Sequence, residues 1–217
     1  MGCGACQGLA KLGLVRRWAL LWGDTSRSWL GRQEYWDAAY ASGRYAGTYE
    51  WNQTCEAIWP FITETLGENY SGKVLHVGCG NSKLGRKLHD AGFLNVVNVD
   101  YSPVVIKMMQ DQEPGLVWLC ADCAQPGALG DGADFCIDKG AIDSLFEAGP
   151  AMRQQGCLMV SEIHRALKTG GKYLVISNGG LGSEVLVGTF RSVQQWEIEG
   201  YACDLYYKLI TILVCTK

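Results

Sequence analysis

The chain has 217 residues, of which 48% are hydrophobic and 19% charged, enough to bury one substantial core as a single domain, with or without an arm. Its formal net charge is -3, with Lys and Arg scattered, so no basic stripe is available to track a nucleic-acid backbone and no nucleic-acid partner is expected. No apolar run approaches the roughly 18 residues that a membrane span needs, so no span is expected either. Ten cysteines are present, and Cys79, Cys120, Cys136 and Cys215 sit inside apolar runs. There a reduced thiol behaves as a small hydrophobe, which fits a reducing cytoplasm better than a disulfide scaffold.

The chain opens with MGCGACQGLAKLGLVRRWALLWG. Gly2 and Cys3 begin a dual-acylation pattern, but Cys6 stands where myristoylation wants Ser or Thr. Lys11, Arg16 and Arg17, with no acid before Asp24, have the character of a mitochondrial presequence. Residues 1–32 are therefore read as an arm, flexible or targeting, ahead of a domain over 33–217. Asn52-Gln53-Thr54 and Asn69-Tyr70-Ser71 match the glycosylation pattern, which has no meaning without a secretory signal.

From residue 73 onward, apolar runs alternate with helical stretches, the pattern of a parallel sheet covered on both faces. The strand candidates are KVLHV (73–77), NVVNVD (95–100), GLVWLC (115–120), ADFCID (133–138) and GKYLVIS (171–177), with helices expected at 82–91, 102–111 and 152–168. The last of these helices sets Met152, Met159, Ile163, Ala166 and Leu167 on one face and is expected to stop at KTGG. Beyond residue 180, a polar bend SVQQWEIEG and a terminal run DLYYKLITILVCTK predict two strands joined by a turn at Gly200. The expected fold is α/β: a Rossmann-like, seven-stranded, mostly parallel sheet with helices on both faces and a C-terminal antiparallel hairpin.

The stretch VLHVGCGNSKLG (74–85) follows the first strand and opens a helix, a place where glycines let backbone N–H groups come close to a ligand. Lys83 stands at the third glycine position of the dinucleotide fingerprint, so a pyrophosphate is disfavoured. Asp100 ends the second strand 22 residues after Gly78, where a carboxylate can accept both hydroxyls of a ribose. Asp122 follows the third strand, in reach of an adenine amine, although an Asp there is as readily the start of a polar turn. Loop glycines, ribose carboxylate and adenine carboxylate at successive strand ends describe a site for an adenosine without phosphates that carries a sulfonium. Cys120 and Cys123 have metal-ligand spacing but no second Cys/His pair matches them, so no metal site is expected.

VLHVGCGNS, VVNVDYSPVVIKMM, LCADC and FCIDKGAIDSL together resemble the class I methyltransferases that use S-adenosylmethionine. With the upstream EYWDAAYASGRYAGTYEWN, the chain is similar, over Glu34 to Ser177, to the branch that includes lysine methyltransferases of eukaryotic elongation factor 1-alpha. That branch begins with a Tyr-Trp-Asp helix and a Tyr-acid-Trp turn. The resemblance implies S-adenosylmethionine as cofactor, a protein lysine as acceptor, Gly78 and Gly80 beneath the methionine moiety, Asp100 and Tyr101 at the ribose, and Asp122 and Cys123 at the adenine. It also implies that Trp36, Tyr40 and Trp51 close over the cofactor and that Lys139 touches it; Asp138, at the end of the fourth strand beside the expected transfer point, is placed to orient the acceptor amine or assist its proton loss. For the aromatics the residue-level alternative is core packing, and for Asp138 it is a helix cap.

His76 stands where many class I enzymes carry an acid, and NGGLGSEVLVG departs from the branch after the fifth strand. No Asn/Asp-Pro-Pro-Tyr element follows the fourth strand, which argues against a nucleobase or glutamine amide as acceptor. A small-molecule methyltransferase and a non-catalytic cofactor-binding module remain the alternative readings. The sequence leaves the oligomeric state open.

Overall fold

A computed structural model describes residues 28–178, 183–205 and 208–217. The expected arm lies outside the described residues up to position 27, and its last residues form a 3-10 turn over Ser28–Gly31. Among the described residues no helix is long and apolar enough to cross a membrane.

Seven strands form one sheet: β1 (Val74–Val77), β2 (Val96–Asp100), β3 (Val117–Cys120), β4 (Ala133–Asp138), β5 (Leu167–Asn178), β6 (Glu197–Leu205) and β7 (Lys208–Thr216). Their spatial order is β3-β2-β1-β4-β5-β7-β6, parallel from β3 to β5, with β7 antiparallel to both β5 and β6. The helices are α1 (Gln33–Ala41), α2 (Cys55–Leu66), α3 (Leu84–Asp90), α4 (Pro103–Gln112), α5 (Ala141–Glu147), α6 (Pro150–Ala166) and α7 (Ser183–Val193). All four residues of β1 are buried, because a central parallel strand is covered on both faces and so reads as a continuous apolar run.

Two cores follow from that covering. Leu75, Val77, Val99 and Cys136 pack with Ile142, Ile163 and Phe190 of α5, α6 and α7 on one face. On the other, Val74, Ile137, Leu174 and Ile212 meet Ile58 and Ile62 of α2 and Leu84 and Leu88 of α3. A third cluster joins Tyr35, Trp36 and Tyr40 of α1 to Val105 and Met109 of α4, so the N-terminal segment is packed onto the sheet layer beside the β2 end.

The structure revises two expected boundaries. α6 stops at Ala166, where Leu167 is already extended and 2% exposed. The KTGG glycines belong to the start of β5: Gly170, at φ 75°, makes the irregular step that lets its N–H donate to the Lys217 carbonyl. Gly200 is not a turn but lies within β6 opposite Leu213, where a Cβ would come 3.1 Å from the Leu213 side chain. Close packing of the hairpin explains that glycine, and the β6–β7 connection falls at 206–207, outside the described residues.

Candidate active site

The C-terminal ends of β1 to β4 open into one cavity, with about 730 Å³ of space counted together with its open mouth. Parallel sheets place their ligands there. Gly78 and Gly80, in the β1–α3 loop, have φ of 57° and 50°. A Cβ on Gly78 would collide with the Ala141 methyl, and one on Gly80 would come 2.8 Å from the Tyr40 hydroxyl. Glycine is thus required at both positions for conformation and for close approach.

At the end of β2, Asp100 is 6% exposed and lines the cavity. One carboxylate oxygen accepts from Gly80 N and the other from Ser102 N, each at 3.0 Å. Burial raises its pKa to about 6 against the pull of these backbone donors. Each oxygen keeps a lone pair for a further donor. Tyr101 beside it also lines the cavity.

Asp122 lines the cavity after β3 while its Oδ1 accepts from Ala124 N at 2.9 Å. It therefore starts a turn, as the residue-level reading expected, and still faces the cavity. Cys123, 8% exposed, is its neighbour on the cavity wall.

Trp36, Tyr40 and Trp51 form the roof. Trp36 donates from Nε1 to the Leu30 carbonyl at 2.7 Å and meets Trp51 edge-on at 5.4 Å between ring centroids. These aromatics therefore pack and line the cavity at once, so core packing and the covering role are not exclusive.

Lys139 lines the cavity too, but its ammonium is committed. Its side chain is 2% exposed, and Nζ lies 2.8 Å from Glu50 Oε2 and donates to the Trp51 carbonyl at 2.9 Å. Glu50, the acid of the Tyr-acid-Trp turn, also accepts from Ser82 Oγ at 2.9 Å and Lys83 N at 2.8 Å. Burial works to raise its pKa, yet the Lys139 ammonium and these donors hold it below its ordinary value. Glu50 thereby ties the roof to both the glycine loop and the β4 end, a role visible only once the strands are assembled.

Asp138 is not on the cavity wall. It is fully buried, accepts from Ala141 N at 2.7 Å and Ile142 N at 3.1 Å, and accepts the Tyr173 hydroxyl at 3.0 Å. The strand-end carboxylate caps α5, the alternative weighed from the sequence. His76 likewise faces away from the cavity: its Nδ1 lies 3.0 Å from Asn98 Oδ1, and burial lowers its pKa to about 4, leaving a neutral ring.

Sequence reasoning missed Asn52, noted there only as part of a glycosylation pattern. It is the one non-glycine residue with positive φ, 61°, among the described residues. Its Nδ2 donates to Asp143 Oδ2 at 2.9 Å and the Ile176 carbonyl at 3.0 Å, pinning the roof segment to α5 and β5. Asn is the non-glycine residue best suited to this conformation, a signal the sequence did carry. Asn52→Ala is expected to lower stability by about 2 kcal/mol through the lost donor and the strained φ. Asn52→Gly should recover about 1 kcal/mol of that by relieving the strain. Urea denaturation of the two variants measures both, and equal losses would refute the strain component.

A family model described as a methyltransferase domain matches residues 75–175, the stretch that holds β1 to β5 and most of the cavity. The mouse "eEF1A lysine and N-terminal methyltransferase" is 33% identical over 157 residues, covering 68% of this chain and 21% of that protein. The chain carries a class I methyltransferase domain. A second mouse relative, "EEF1A lysine methyltransferase 4", is 31% identical over 157 residues, 68% of this chain and 61% of that protein. This class I chain thus spans between a fifth and three fifths of these curated relatives. Among solved structures, a TehB-like SAM-dependent methyltransferase from Corynebacterium glutamicum superposes with a TM-score of 0.60 at 19% identity. That comparison covers 85% of this chain and 97% of the other, and it establishes the class I fold.

Proposed function

We propose that this protein is an S-adenosylmethionine-dependent protein-lysine N-methyltransferase, with an elongation factor of the eEF1A type as the first substrate to test and the cytoplasm as its compartment. The carrying observation is the convergence of two tight glycines, a carboxylate with spare lone pairs and an aromatic roof on one cavity. The acceptor class comes from the relatives' names. A small-molecule acceptor finds no comparable support among those relatives.

The residues fit the cofactor. Asp100 takes the ribose hydroxyls, and Tyr101 flanks them. Asp122 accepts the adenine amine, with Cys123 against the ring. Gly78 and Gly80 let the backbone pass beneath the methionine moiety, and Lys139 acts there through Glu50 and the Trp51 carbonyl. When bound, S-adenosylmethionine supplies a methyl group made electrophilic by its sulfonium. Trp36, Tyr40 and Trp51 exclude water, which matters because a lysine acceptor must be unprotonated and its ordinary pKa is about 10.4. A dry, apolar surrounding lowers that value by disfavouring the charged amine, and ring faces accommodate a methylammonium product. With Asp138 spent on the α5 cap, deprotonation is assigned to this environment.

The test is incubation with radiolabelled S-adenosylmethionine and a methyl-free eukaryotic lysate, alongside purified eEF1A. Label is expected in a discrete protein band, as methyl-lysine on hydrolysis, and absent with Asp100→Ala and Gly78→Arg. Label confined to small molecules would overturn the acceptor class.

A further inference from the structure

The cavity does not close at Asp122. Tyr101, Asp122, Leu145 and Met159 line both it and a second recess that opens to solvent. Beyond the shared wall, the recess is lined by residues 31–34, by Ala124 and by Met152 and Gln155 of α6. The topology explains why it exists. The β3–β4 connection, residues 121–132, consists of turns and brings no helix to cover this edge of the sheet. Gly31 sets the floor, since a Cβ there would run into the Met152 side chain.

Asp122 stands at the junction, so a group that donates to its carboxylate lies beside the recess. The recess wall carries two methionines, a leucine, an alanine and a tyrosine ring beside the polar side chains of Arg32, Gln33, Glu34, Asp122 and Gln155. Thioether side chains adapt their shape and make favourable contacts with aromatic rings. An adenine amine bearing one substituent retains one N–H, so the hydrogen bond to Asp122 survives substitution.

We infer that this recess is a subsite for a flat apolar substituent on the adenine edge, so that the cofactor site accepts nucleosides extended at N6. The inference rests on the assignment of Asp122 to the adenine amine.

Calorimetry on the full chain with S-adenosylhomocysteine and its N6-benzyl analogue tests it. The two Kd values are expected to agree within about fivefold. Gln155→Trp and Met152→Trp fill the recess from α6 and should weaken the benzyl analogue by about thirtyfold while leaving S-adenosylhomocysteine unchanged. Normal S-adenosylhomocysteine binding with the benzyl analogue weakened by about a hundredfold or more in the wild type would overturn the subsite alone. The subsite would also fall if the wild type bound both ligands and two folded Trp variants still took the analogue as well as it does. Failure of S-adenosylhomocysteine itself to bind would overturn the cofactor assignment and the subsite with it.

Discussion

Asp100→Asn is expected to weaken S-adenosylhomocysteine binding by about a hundredfold, the loss that follows from removing two charge-assisted hydrogen bonds worth about 1.5 kcal/mol or more each. The carboxylate is surrounded by donors: Gly80 N and Ser102 N already use one lone pair on each oxygen, and two ribose hydroxyls would use the others. An amide nitrogen in place of one oxygen meets a backbone N–H with a second donor, so the variant loses on the protein side as well as on the ligand side. The wild type should also show a pH dependence that the variant lacks. Burial has raised the Asp100 pKa to about 6 in the free protein. Donors from the ligand favour the ionised form, so binding lowers that pKa and releases a proton at or below pH 6. Affinity therefore rises between pH 5 and pH 7, by up to about tenfold for one displaced proton. Calorimetry at pH 6 in two buffers of different ionisation enthalpy reads the proton release directly. A wild-type affinity that stays flat from pH 5 to pH 7 would show that the ligand does not use this carboxylate.

Much of this site was legible because its residues stand at strand ends, and strand ends are marked in the sequence by where an apolar run stops. VLHV followed by glycine, VVNV followed by Asp100, and VWLC followed shortly by Asp122 could each be located from that change alone. Interactions between distant segments were not legible. Nothing local to Glu50 or Lys139 says that the two charges meet, since they are brought together by the crossover that sets β4 beside β1. Glycines misled in a consistent way: those of KTGG and Gly200 look like boundaries, but they serve a bulge and a close strand contact. α2 had a helix signature in its Thr54 cap and in Ile58, Ile62 and Leu66 at four-residue intervals. Pro60 within it hides that signature, because an interior proline normally ends a helix.

Asp138→Ala is expected to destabilise the fold by about 3 kcal/mol, because it strips the cap from α5 and leaves buried donors without their acceptor. Those donors are Ala141 N, Ile142 N and the Tyr173 hydroxyl. Asp138→Asn keeps an acceptor for the two amides and should cost about 1 kcal/mol. The pH dependence of stability reads out the buried carboxylate, and kcat separates its capping role from catalysis. Burial, with the Asp143 carboxylate adding to it, raises the Asp138 pKa from 3.8 to about 7, against the donors that pull it back. A group whose folded pKa lies above its unfolded value contributes stability that is complete below the unfolded value and is lost as pH rises through the folded one. The wild type should therefore melt at a lower temperature at pH 8 than at pH 5.5. Asp100 and Asp143, both raised chiefly by burial, contribute in the same direction. Asp138→Asn removes one of these groups, so its melting temperature should fall less steeply over the same range. A carboxylate acting as general base would share that stability profile, but its asparagine variant would lose kcat at unchanged KM. Assayed well below its melting temperature, Asp138→Asn should instead retain most of its methyl transfer, because the carboxylate it replaces sits behind the cavity wall holding α5 in place.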